Sequence, residues 1–303
     1  MTSYKKFIIQ LLVVFLCFFS LSCNSLQSSS IKPEQEKTEQ VIAETGAVSE
    51  LPKPSEELSP EPASSEPPLI LQAEDIQAQG SRTLCRFGVK MSTDGSKPGI
   101  PTDWKSILDR HNGYHLLPTE QKIAYFTFDL GYEAGFTSEL LDLLKDLEIP
   151  AIFFLTGYYI QTQPQLVLRM LEEGHEVGNH SHKHESLPSL SKEEIIEDTQ
   201  TVEKLFFDLT GQKMRAYRPP SGHFCEYSLS ILHQMGYESY FWSIAYPDWE
   251  KLPGGWQQAY QTVIDHIHPG ALILMHVSTD ENLKALPDIA RTLRDQGYSF
   301  ALP

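Results

Sequence analysis

The chain has 303 residues, a formal net charge of −16 and 41% hydrophobic side chains, enough for one large or two smaller globular domains. The acidic excess removes the electrostatic attraction that binds nucleic acid or anionic lipid, so a polyanionic partner has to be recognised locally, in a cleft. Four cysteines (Cys17, Cys23, Cys85 and Cys225) lack the spacing of a disulfide framework, and no Cys85–Cys225 bridge is expected.

In chain order, Lys5 and Lys6 precede an apolar run over residues 7–19, which ends in Ser20-Leu21-Ser22-Cys23. This is the layout of a secretory signal, and the run is short for a membrane-spanning helix, which needs about 20 apolar residues. Leu21-Ser22-Cys23 resembles the lipobox of bacterial lipoproteins, in which the cysteine is acylated. An ordinary cleaved signal and an uncleaved anchor are the alternatives, and all three imply export. The expectation is a chain in the cell envelope, lipid-anchored at the outer face of the cytoplasmic membrane, with the leader as its sole membrane contact. Residues 24–70 are rich in Ser, Glu and Pro and poor in aliphatic side chains. They cannot bury enough apolar surface to offset ordering entropy, so a disordered linker is expected.

From residue 123 the pattern alternates. Residues 123–128, 151–155, 176–179, 239–243 and 271–275 read as buried strands. Thr137 is placed to cap a helix carrying Leu140, Leu141, Leu144 and Leu147, and Pro164 fits the first turn of another. Helices are also expected over residues 192–209, 227–235, 257–266 and 283–296. Strands separated by helical patterns make an α/β fold with a parallel sheet, wound flat or closed as a barrel. In either form chemistry collects at the C-terminal strand ends.

Those ends are polar. Strand 123–128 runs into Asp129, strand 176–179 into His180-Ser181-His182-Lys183-His184, and strand 271–275 into His276. Arg218-Pro219-Pro220 and Asp248-Trp249 follow two further elements. Singly, each has a plain structural explanation: Asp129 as a helix cap, Arg218 in an ion pair, His276 in the core, the histidines in a surface loop. Together, two imidazoles four residues apart, an acid and a further histidine make a hydrolytic metal site.

The order of these motifs resembles the polysaccharide deacetylases, carbohydrate esterase family 4 or the NodB homology domain, over residues 123–302. The resemblance implies a distorted (β/α) barrel at residues 121–303, preceded by an extension (71–120) that packs on it. It implies N-deacetylation of a cell-wall glycan with a divalent metal, zinc by expectation, held by His180 and His184. Asp129 would be the general base, Arg218 its orienting partner, His276 the general acid and Asp248 the residue that tunes it. Trp249, Leu274, Pro220 and Tyr132 would contact substrate. No nucleic acid or protein partner is implied.

One departure stands out. Where the family has a second Asp that ligates the metal, this chain has Leu130, which cannot coordinate, so metal binding is expected to be weaker unless His182 or Glu133 compensates. The delta-lactam-biosynthetic branch, the PdaA-type N-acetylmuramic acid deacetylases, also lacks that Asp and carries Asp-Asn-Gly-Tyr-Glu where this chain has Asp129-Leu130-Gly131-Tyr132-Glu133. Ala245 and Arg218-Pro219-Pro220-Ser221-Gly222 point the same way. The resemblance thus implies a substrate of N-acetylmuramic acid in peptidoglycan, with N-acetylglucosamine polymers, or glycan binding without turnover, as the alternatives.

Overall fold

Two residue alternations decide the architecture, described here from a computed structural model of residues 68 and 70–303. The leader and nearly all of the expected linker lie outside the described residues. Along β3 (Ile123–Leu130), Phe126, Phe128 and Leu130 join the large apolar core beneath the helices, whereas Tyr125 belongs to a smaller cluster with Ile152, Phe154, Ala216, Tyr240 and Leu272. The strand is therefore buried on both faces, as period-2 geometry in a parallel sheet requires. Thr127 and Asp129 share the parity of Tyr125, and so point towards the inner cluster.

The strands are β1 (Cys85–Arg86), β2 (Gly113–Tyr114), β3, β4 (Ala151–Leu155), β5 (Glu176–Asn179), β6 (Ala216–Tyr217), β7 (His223–Phe224), β8 (Glu238–Tyr240), β9 (Ala271–Met275) and β10 (Ser299–Phe300). A parallel run β3-β4-β5-β6-β8 is flanked by β9 on the other side of β3. The ring closes beyond β8, where Ser243 donates its amide to the Leu272 carbonyl at 2.9 Å and Leu274 donates to Ile244 at 2.9 Å. The result is a distorted barrel of parallel strands, as the resemblance implied. The expected strand over 239–243 is shorter, because the chain leaves β8 after Tyr240 to make this bridge to β9. Inside the ring, Gly178 is required: a Cβ there would stand 2.7 Å from the Phe154 ring.

The helices are α1 (Thr102–Arg110), α2 (Thr137–Asp146), α3 (Gly157–Thr162), α4 (Pro164–Glu172), α5 (Lys192–Thr210), α6 (Glu226–Gln234), α7 (Gly255–His266) and α8 (Glu281–Asp295). Helix α5 starts at a capping box formed by Ser191 and Glu194 and stops at Gly211, whose φ of 70° suits glycine. Thr137 does not cap α2. It is the first helical residue, and Glu133 accepts from the Thr137 amide at 3.2 Å and from the Gly135 amide at 2.6 Å. Among the described residues no helix is long and apolar enough to cross a membrane.

The segment before β3 is held against the barrel at several points. β1 pairs antiparallel with β7, and β2 adds to β8 in parallel register. Phe87 lies 4.5 Å from Phe241 and 5.4 Å from Trp242, centroid to centroid, and Trp104 meets Phe224 at 5.7 Å. Aromatic burial of this size anchors a segment that has little regular structure of its own.

Candidate active site

Strand ends β3, β5, β6 and β9 converge on an open cleft of about 1040 Å³, lined by Asp129, Leu130, Tyr132, His180, His184, Trp249, Leu274 and His276 among others. At its floor is a buried ion pair. Arg218 is fully buried, and its Nη1 donates to Asp129 Oδ1 at 2.7 Å and to the Thr127 hydroxyl at 2.9 Å. Its other nitrogens donate to the carbonyls of Tyr240 (3.1 Å) and Phe241 (3.0 Å), and the guanidinium lies 4.1 Å over the Phe154 ring. Every partner is fixed by sheet or closure geometry, so the guanidinium is pre-set. Burial by itself would raise the Asp129 pKa, but the Arg218 charge and hydrogen bond, together with the nearby His180 and His276, outweigh it and hold the carboxyl below its usual range.

His180 is turned by a carbonyl at the end of the neighbouring strand β6. Its Nδ1 hydrogen-bonds the Arg218 carbonyl at 2.8 Å, which leaves Nε2 free, 3.6 Å from Asp129 Oδ2. Burial pushes the His180 pKa down to about 4, so the ring is neutral at neutral pH. The His184 ring lies 4.9 Å away, at 70° to it. The four-residue spacing acts through a tight loop rather than a helix. Ser181 (φ 71°) and His184 (φ 56°) both adopt left-handed backbone, and the Ser181 hydroxyl accepts from the His184 amide at 3.0 Å. Buried Asp198, from α5, accepts from the amides of His182 (2.9 Å) and Lys183 (3.1 Å) and ties the loop down.

Two neutral imidazoles with a free nitrogen each, beside a carboxylate, are a donor set that suits a divalent ion of the zinc type. Leu130 offers no third ligand; it is buried in the main apolar core and reaches the cleft wall as hydrocarbon. Neither expected substitute supplies one. The Glu133 carboxylate is taken up by Thr137, Gly135 and the Tyr159 hydroxyl (2.8 Å), and His182 is packed against Gly157, with Nδ1 buried there. Among the described residues no group of three or more His, Cys, Asp or Glu has metal-site geometry.

On the opposite wall, His276 Nδ1 meets Asp248 Oδ1 at 2.8 Å, and the His276 amide donates to Asp248 Oδ2 at 2.8 Å. Asn282 adds a second clamp. Its amide nitrogen donates to Asp248 Oδ2 (2.6 Å) and to the His276 carbonyl (2.7 Å), and Tyr246 orients it through a 2.7 Å bond to its oxygen. Burial lowers the His276 pKa, but the Asp248 hydrogen bond and charge raise it further, so the imidazolium is favoured. The cleft thus sets an ionised carboxylate on one wall against a protonatable imidazole on the other.

Tyr132 and Trp249 are more than half exposed on the rim, and Leu274 lines the floor. Pro220 is buried and outside the lining. It starts a single 3-10 turn that presents Ser221 to the cleft instead. Thr127, Asn282, Tyr246, Asp198, Tyr158, Phe87 and Trp242 complete the site or its supports; Thr127 stands in the Thr127-Phe128-Asp129 motif and Phe87 before Gly88 in the leading segment, and no motif singles out the others. For Asn282 the one signal was its place six residues after His276.

Comparison with known proteins agrees with this geometry. The polysaccharide deacetylase family profile matches residues 117–240. Peptidoglycan-N-acetylmuramic acid deacetylase PdaA of Bacillus subtilis is 37% identical over 216 residues, which cover 71% of this chain and 82% of that protein. The solved structure of B. subtilis PdaA, a family 4 carbohydrate esterase, aligns with a TM-score of 0.69 at 35% identity, covering 73% of this chain and 95% of that one. A family 4 pseudoenzyme from Bacillus anthracis aligns with a TM-score of 0.60 at 27% identity, covering 63% of this chain and 66% of that one. On the match of sequence, barrel and motif order, the chain belongs to the polysaccharide deacetylase family, the family 4 carbohydrate esterases.

Proposed function

We propose that this chain hydrolyses N-acetyl groups from peptidoglycan amino sugars, with N-acetylmuramic acid the preferred residue, and releases acetate outside the cytoplasmic membrane. The observation that carries the reading is the opposition, across one cleft, of Asp129 paired with Arg218 and His276 paired with Asp248. A divalent ion held by His180 and His184 would polarise the acetamido carbonyl and make a water easier to deprotonate. Asp129 takes a proton from the attacking water. Its low pKa makes it a modest base, and Arg218 fixes its second oxygen so that Oδ2 faces the cleft. His276 gives its Nε2 proton to the departing amine, and Asp248 favours the charged ring beforehand. Trp249, edge-on to His276 with centroids 5.9 Å apart, walls the leaving-group side. The products are acetate and a free amino sugar.

The preference for muramic acid rests on the similarity to PdaA and on the Leu130 departure. The test is acetate release from purified wall glycan by the full chain with added zinc. Loss of release in Asp129→Asn and in His276→Ala, both still folded, is the expected result. Absence of acetate from every wall glycan, with metal bound, overturns the proposal. Leu130 and the similarity to a pseudoenzyme also support a second reading, a glycan-binding protein without turnover. That reading predicts glycan retention unchanged by chelator and by His276→Ala.

A further inference from the structure

Among the described residues Lys183 is the only lysine or arginine lining the cleft, in a chain whose net charge is −16. Arg218 lies beneath the floor and is committed to Asp129. Lys183 takes part in none of the ion pairs found among the described residues. The acid that feels its charge, Glu194, is occupied in the cap of α5, accepting from the Ser191 amide at 2.7 Å. The base of the lysine is fixed, because Asp198 holds its amide at 3.1 Å. The loop that carries it is pressed against α3: a Cβ on Gly157 would stand 2.1 Å from His182 Nδ1, and the Gly157 amide donates to the Ser181 carbonyl at 3.2 Å. Next to it Tyr158 stands 56% exposed, and Tyr132, also on the rim, is 58% exposed. An aromatic side chain left this open beside a reactive cleft is a stacking surface for a sugar ring.

We infer that Lys183 is a specificity-determining residue that binds a carboxylate carried by the glycan, with the Tyr158 and Tyr132 rings beneath the sugar. The inference rests on the proposed peptidoglycan reading for the identity of that carboxylate. N-acetylmuramic acid differs from N-acetylglucosamine by a lactyl ether on the ring carbon next to the one bearing the acetamido group. A lysine one residue from His184 is placed to meet that lactyl carboxylate while the acetamido carbonyl sits between the two walls. A free carboxylate at the cleft mouth would otherwise meet the field of an acidic protein, and the lysine offsets it locally.

The experiment uses the full chain and two forms of one substrate: peptide-free wall glycan strands with free lactyl carboxyls, and the same strands with those carboxyls converted to methylamides. Wild type is expected to favour the free-carboxyl strands by roughly three- to tenfold in kcat/KM, the range of a charge-assisted contact at a partly exposed site. Lys183→Ala and Lys183→Glu are expected to erase or reverse that preference, and Lys183→Arg to retain it, all with an unchanged Tm. A wild type indifferent to amidation, or a Lys183→Ala variant that keeps the preference, overturns the inference. Calorimetric binding of both strand forms is measured in parallel. If no strand releases acetate, the proposed function falls, and Lys183 is then judged on whether its removal abolishes the binding preference.

Discussion

Replacing Arg218 with Met keeps much of the hydrocarbon stem and deletes the guanidinium, which lies over the Phe154 ring. Four hydrogen bonds go with it, those to Asp129, Thr127 and the carbonyls of Tyr240 and Phe241. Asp129 is only 8% exposed, so its charge is left buried and unpaired. Breaking a buried pair in this way costs about 3–5 kcal/mol, a large share of a typical 5–15 kcal/mol total. For a domain of this size that is a fall in Tm of about 6–20 °C.

The sign of the pH dependence follows from burial. In wild type the Asp129 pKa is depressed by Arg218, so the pair contributes stability above the unfolded value and loses it as pH falls through the folded one. In Arg218→Met the charge that most opposes burial is gone, with His180 and His276 left as the opposing groups, and the pKa rises, so the variant recovers as pH falls and protonation removes the stranded charge. Urea unfolding at pH 8 and pH 5 is expected to show the deficit shrinking at the lower pH. The double variant Arg218→Met/Asp129→Asn is expected to be more stable at pH 8 than Arg218→Met alone, by about 1–3 kcal/mol, because the neutral amide is cheaper to bury. Equal stability of single and double variants, with no pH recovery, would refute the view that Arg218 neutralises Asp129.

Asp248→Asn removes the charge that raises the His276 pKa, so the protonated acid is lost at lower pH as pH rises; acetate release at pH 8 is expected to fall about tenfold or more, with the alkaline limb moved to lower pH. An alkaline limb left in place would exclude His276 as the proton donor. Leu130→Asp deletes a buried leucine, costing the metal-free protein about 2–5 kcal/mol, and it is expected to tighten zinc binding at least tenfold by calorimetry. Unchanged affinity in a folded variant would show that position 130 does not face the ion. Phe87→Ala opens the junction between the leading segment and the barrel, with an expected loss of about 3–5 kcal/mol in urea unfolding. A loss below 1 kcal/mol would mean that segment is not anchored there.

The long elements were legible because their local signals agree: the apolar runs of β3, β4, β5 and β9, the capping box of α5, and Pro164 at the start of α4. β6, at two residues, carries no period to read, and the leading segment owes its placement to pairing with β7 and β8 and to the Phe87 contacts. The candidate site residues were also visible, since they cluster at or after strand ends, where a parallel sheet exposes polar side chains.

Sequence by itself therefore marked the residues on which the proposed chemistry rests, Asp129, His180, His184, Arg218 and His276, and showed that Leu130 cannot ligate. Tertiary structure decided how they are held. Thr127 acts on a residue 91 positions away, Tyr246 on one 36 away, Asn282 on residues 6 and 34 away and Asp198 on residues 15 and 16 away, through isolated hydrogen bonds that leave no periodic trace. It also decided that Glu133 caps α2, that His182 packs on Gly157, and that Pro220 yields the wall to Ser221. A side chain's type fixes what it is able to donate or accept, but only the packed chain fixes which partner stands within 3 Å of it.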